Sequence, residues 1–145
     1  MTGKKKVLTE LAFAVYALVM LRLLLLRPTA SGRSLNLVPF RTIAEYFVYL
    51  SDGAEYLAPL RRYAAVNLVG NTVLFLPLGA ALPLLFPRLR RWIPFLTAVI
   101  GILLLVEAAQ YILGVGAADV DDLLLNTLGA AAGFAAMRRF GKTTV

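Results

Sequence analysis

Apolar residues fill four long stretches of the chain, at about residues 7–26, 66–86, 93–113 and 119–137. Each is near the roughly 20 residues that carry a helix across a bilayer. The pattern predicts an all-α integral membrane protein, a four-helix bundle formed by one domain over residues 1–145. Arg22 interrupts the first span, and acidic residues crowd the first turns of the fourth. Pro87 follows the second span, and Pro94 lies at the start of the third, where a missing N–H costs little. Pro77 and Pro83 lie inside the second span and predict a kink there.

The stretch between the first two spans carries its own periodicity. Phe40, Ile43, Phe47 and Leu50 recur at helical spacing, with Arg41 and Glu45 off that stripe. Tyr46, Tyr49, Tyr56 and Tyr63 add amphipathic rings. A short helix lying at the outer membrane interface is the reading, with an ordinary loop over the bundle mouth as its alternative.

Composition narrows the chemistry. The chain of 145 residues is 60% hydrophobic and contains no cysteine and no histidine. Disulfides, thiolate nucleophiles, histidine bases and zinc–histidine sites are thereby excluded. The net charge of +7 is split into short clusters flanking the apolar spans, as membrane orientation requires, and no nucleic-acid motif accompanies it. Lys4 to Lys6, the arginines at 88, 90 and 91, and Arg138, Arg139 and Lys142 fall on one side of a four-span bundle. The expected location is the cytoplasmic membrane of a bacterium, with several passes and both termini cytoplasmic. The segment Pro28-Thr29-Ala30 is a poor cleavage site, so the first apolar run is read as a retained helix and not a signal peptide.

Ionisable and amide residues within the spans mark the functional candidates, because they are costly in a bilayer. Asn67 and Asn71 are spaced i, i+4, Glu107 and Gln110 i, i+3, and Asp119, Asp122 and Asn126 i, i+3, i+7, so each set shares one helix face. At 1.5 Å per residue, Arg22, Asn71, Glu107 and Asn126 lie about 6, 7, 9 and 10 Å inside the outer ends of their spans. The four predicted helices thus place polar groups in one layer of the outer leaflet. Asp121 falls off the shared face, toward water or headgroups. Arg22 is the cation expected to pair with Glu107 or Asp122. Glu107, Asp119 and Asp122 are the carboxylates that would hold a divalent cation. Nothing in the sequence identifies a cofactor. Gly129 and Gly133 form a small-residue seam for close helix approach, which would also serve an oligomer.

At these residues the chain resembles the VanZ-like family of small bacterial membrane proteins. The matching segments are Asn36-Leu37-Val38-Pro39-Phe40, Asn67 to Gly79 with Asn71, Phe75 and Pro77, Glu107 with Gln110, and Asp119-Val120-Asp121-Asp122 with Asn126 and Gly129. The chain departs from the family at Gly116, where an arginine is common. The resemblance implies a cell-envelope role and adds Asn36 to the candidate ligand-binding residues; Arg41 joins them as the second cation counted with the polar layer. The family's namesake is associated with lowered susceptibility to teicoplanin-type glycopeptides. Three functions compete at this stage. One is a module binding an amphiphilic ligand, which would be a membrane lipid, a lipid-linked envelope precursor or a lipophilic glycopeptide. The second is an intramembrane enzyme acting on a lipid-linked substrate through its carboxylates. The third is a structural subunit docking through the glycine seam.

Overall fold

The computed structural model describes residues 3–25, 34–115 and 117–140. The segment at residues 28–30, Gly116 and Lys142 lie outside the described residues. Six α-helices follow in order: α1 Gly3–Leu25, α2 Arg41–Ser51, α3 Ala58–Leu74, α4 Leu76–Leu85, α5 Trp92–Leu113 and α6 Val120–Phe140. Short 3-10 turns precede α3 and α5. Helix is the expected solution for apolar segments, since it satisfies backbone polar groups within each segment. Among the described residues, three stretches are long and apolar enough to cross a membrane: Lys6–Leu24, Glu55–Leu85 and Trp92–Leu113. Helix α6 is not among them, although it has the length; Asp121, Asp122, Arg138 and Arg139 lie near its ends.

The second expected span, at 66–86, is longer than the sequence pattern indicated and is broken. It runs through α3 and α4, with the interruption at Phe75, two residues before Pro77. A proline has no N–H to give the preceding turn, so the backbone ladder opens there. The Tyr16 hydroxyl of α1 donates to the Leu74 carbonyl at 2.6 Å, which supplies this break with a donor from another helix.

Helix α6 packs against α3, α4 and α5. Its small residues make this close approach possible. A Cβ built on Gly129 would lie 1.9 Å from the Thr72 carbonyl oxygen, and one on Gly133 2.0 Å from that of Leu76. Gly79 answers from α4, where a Cβ would meet the Ala130 carbonyl oxygen at 1.8 Å. The seam read as a docking face for a second copy is therefore filled from within the chain. Below it, Phe95 of α5 stacks on Phe134 of α6 with centroids 4.2 Å apart. Met20, Phe75, Leu78, Val99 and Leu103 complete the buried apolar cluster.

Two features of the other end are absent from the helical pattern. Residues Ser34–Asn36 form a strand, β1, that pairs in parallel with β2, Ala117–Asp119. The register sets Asn36 opposite Asp119. Helix α5 ends on Gly114 at φ 67°, with the Val115 N–H bonded to the Gln110 carbonyl, a Schellman-type stop that turns the chain into β2. The short helix expected between the first two spans is present as α2, which turns Tyr46 inward and leaves Phe47, Val48 and Leu50 exposed.

Candidate functional site

The β1–β2 ladder brings the first loop against the start of α6, and the polar residues close around it. Asp119 is the last residue of β2, and its Oδ1 accepts the Asp121 N–H at 2.8 Å. Asp119 is thus the N-cap of α6. The same carboxylate accepts the Asn36 amide at 3.0 Å and the Thr42 hydroxyl at 2.6 Å. Asn36 also donates to Thr42 Oγ1 at 3.0 Å, and its own Oδ1 accepts the Val38 N–H at 3.1 Å. Glu107 reaches over from α5, where its Oε2 accepts the Asp119 N–H at 3.1 Å.

Asp121 behaves differently from the expectation. It does not face water or headgroups; it is fully buried at 0% exposure. Its Oδ1 accepts the Phe40 N–H at 2.6 Å and its Oδ2 the Ile43 N–H at 3.1 Å. Phe40, in the left-handed conformation at φ 66°, offers no side-chain cap to α2. Asp121 supplies that cap from a helix some eighty residues later in the chain. Face arguments fail here because a residue in the first turn of a helix can project past the helix end toward whatever docks on it. Asn36, Thr42, Asp119, Asp121 and Glu107 together form a clasp that fixes α2 on the bundle.

Beneath the clasp lies a second layer. The Asn71 amide of α3 donates to Asp122 Oδ1 of α6. One turn away on α3, Asn67 donates to the Tyr63 carbonyl at 2.7 Å. Asn126, 4% exposed, lies one turn along α6 from Asp122, and its Oδ1 has no hydrogen-bond partner among the described residues. Gln110 is buried and donates to the Leu24 carbonyl at 2.9 Å, so it ties α5 to α1. At the rim, Tyr46 of α2 meets Tyr63 of α3 edge-on at 5.9 Å. Burial first, and then the neighbouring Tyr63, push the Tyr46 phenol above its usual range, which keeps it neutral.

Two candidate cations stand away from these layers. Arg22 is exposed on α1 and takes no ion pair among the described residues, so the expected pair with Glu107 or Asp122 does not form. A long guanidinium side chain near a helix end can snorkel to the membrane surface, which removes the need for a buried partner. Arg41 pairs with Glu45 on its own helix at 3.5 Å, an exposed contact of little energetic consequence. Glu107, Asp119 and Asp122 do not form a metal-ligand group: among the described residues no three histidine, cysteine or acidic side chains are placed to hold an ion. Their oxygens are turned to backbone and side-chain donors instead.

Sequence reasoning missed Thr42 and the capping role of Asp121. The spacing Asp119-x-Asp121 before an apolar run marks only the start of α6, since an acid at the N-cap followed by acids in the first turn opens a helix favourably; no local pattern marks Thr42 or the reach of Asp121 to α2.

Residues 13–141, from α1 into the last residues of the chain, match the VanZ/LLP1 family. The chain belongs to that family. It is similar to Protein VanZ of Enterococcus faecium, with 27% identity over 109 residues. The alignment covers 75% of this chain and 53% of that protein, so the match spans about half the length of the relative. No solved structure matches. Family membership and the long apolar helices make this a membrane protein of the VanZ/LLP1 type, and both polar layers lie within the matched region.

Proposed function

We propose that this VanZ/LLP1 protein binds an amphiphilic envelope ligand at the outer leaflet of the bacterial cytoplasmic membrane. The ligand class covers a membrane lipid, a lipid-linked envelope precursor and a lipophilic glycopeptide of the teicoplanin type. Capture of the last would lower glycopeptide susceptibility. Both termini lie on the cytoplasmic side in this reading, following the basic clusters at 4–6, 88–91 and 138–139.

The observation that carries the reading is the Asn126 side-chain oxygen. It is buried without a donor among the described residues, next to a layer that holds Asn67, Asn71 and Asp122. A buried acceptor left without a partner costs about 1–3 kcal/mol. Such a group is retained where a ligand or ordered water completes it. The clasp above uses its carboxylates to position α2, which leaves the amide layer as the part with spare hydrogen-bonding capacity. A hydroxyl or amide N–H of a sugar, peptide or glycerol headgroup would satisfy it.

The test is Asn126→Leu, compared with wild type by native mass spectrometry after mild extraction. Removing the orphaned oxygen is expected to leave accumulation and thermal stability at or above wild type. The co-purified amphiphile is expected to disappear. Retention of the same bound species by Asn126→Leu would overturn the reading, and so would a wild-type protein that retains no lipid above the bulk composition.

A further inference from the structure

An open groove of about 680 Å³ runs beside the start of α3, lined by Ala58, Pro59, Arg62, Tyr63, Val66 and Asn67. Its lining contains one charge, that of Arg62, and no acid. The two adjacent arginines here have different tasks. Arg61 donates to the Asp52 carbonyl at 2.6 Å and the Ala54 carbonyl at 2.8 Å, which braces the loop that leads into α3. Arg62 is exposed and makes no hydrogen bond or ion pair among the described residues.

The helix continues from Arg62 as a lipid-shaped track. Val66, Val69 and Val73 follow it at i+4, i+7 and i+11, which is a single stripe of an α-helix. All three are exposed, by 58%, 61% and 50%. Eleven residues rise about 16 Å, close to half of the roughly 30 Å hydrocarbon thickness of a bilayer. A guanidinium at one end and one leaflet's depth of exposed valine below it match a headgroup and an acyl chain.

We infer that this groove and the exposed stripe that continues from it seat one phosphate-bearing lipid, its phosphate on the Arg62 guanidinium and one acyl chain along Val66, Val69 and Val73. The guanidinium fork pairs with phosphate through charge-assisted hydrogen bonds. Tyr63, held edge-on by Tyr46, forms the wall at headgroup level. The inference shares its broad ligand class and the lining residue Asn67 with the Asn126 reading; Arg62 and the valine stripe lie on another face of α3.

The test exposes the purified full chain in detergent to equal amounts of phosphatidylglycerol and of diacylglycerol, which lacks the phosphate, with identical acyl chains. Native mass spectrometry then reads the retained lipid. Wild type is expected to favour phosphatidylglycerol by about tenfold, the scale of one charge-assisted contact. Arg62→Gln should bring the preference close to unity without changing thermal stability. Arg41→Gln, which removes the same charge from α2, should keep it. Excess inorganic phosphate should not displace the lipid, because the valine stripe contributes to holding it; displacement would mean a site for phosphate alone and would overturn the lipid seat. An unchanged preference in Arg62→Gln, or an equal loss in Arg41→Gln, would also overturn it. Asn126→Leu separates the two readings: it should keep the phosphatidylglycerol preference even where it empties the amide layer.

Discussion

Replacing Asp121 by alanine removes the carboxylate that holds the first turn of α2. The structure gives the size of the effect. Two backbone N–H groups, those of Phe40 and Ile43, lose their acceptors at 2.6 and 3.1 Å. Hydrogen bonds to a charged group contribute about 1.5–3 kcal/mol each. Phe40 is exposed, so solvent recovers part of the loss. The expected cost is about 2–4 kcal/mol, at and above the upper end of measured N-cap deletions. Opening of the first turn of α2 should therefore rise by roughly 30-fold to several hundredfold. Hydrogen–deuterium exchange of the peptide covering residues 40–46 reads this directly on purified protein. Asp121→Asn keeps one carbonyl oxygen and should fall between alanine and wild type. Glu45→Ala, which removes only the exposed pair with Arg41, should leave the core clasp protected. Exchange at 40–46 in Asp121→Ala equal to wild type would refute the trans-cap. It would return Asp121 to the mild, outward-facing role that helix periodicity alone implies.

The glycines differ sharply in what they tolerate. Gly129→Ala places a Cβ 1.9 Å from backbone and should cost at least about 1–3 kcal/mol of overpacking. Gly101→Ala has open space and should be neutral or stabilising by about 0.5–1 kcal/mol; thermal-shift comparison in detergent checks both. Tyr16→Phe deletes the donor to the Leu74 carbonyl at the α3–α4 break and should lower stability by about 0.5–1.5 kcal/mol, or more if the carbonyl stays dry. An unchanged melting temperature would show that the break needs no partner. Arg22→Leu should accumulate in the membrane like wild type, because the exposed guanidinium has no pair among the described residues to strand. A loss as large as the roughly 3–5 kcal/mol of a broken buried pair would contradict the observed placement.

The sequence alone carried the helical class, three of the four expected apolar spans, the amphipathic α2 and the identity of most polar-layer residues. These are local properties. Apolar length decides whether a segment suits a bilayer, and a period of 3.6 decides which residues share a face. Asn71 and Asp122 are brought together as that reasoning implied, and Asn126 lies on the same side of α6 as Asp122. Periodicity does not say which neighbour a face meets, nor how each helix is rotated about its axis. Arg22 shares the depth of Glu107 but points elsewhere, because depth is set by position along the chain and direction by packing. Gly129 and Gly133 were legible as a close-approach seam, yet only the packed bundle shows that Thr72 and Leu76 fill it. The β1–β2 pairing joins segments more than eighty residues apart through three residues each, too short and too distant to leave a pattern. That pairing turned Asp119 and Asp121 into caps of two different helices, because a carboxylate beyond a helix end takes its role from the backbone donors that tertiary docking delivers to it.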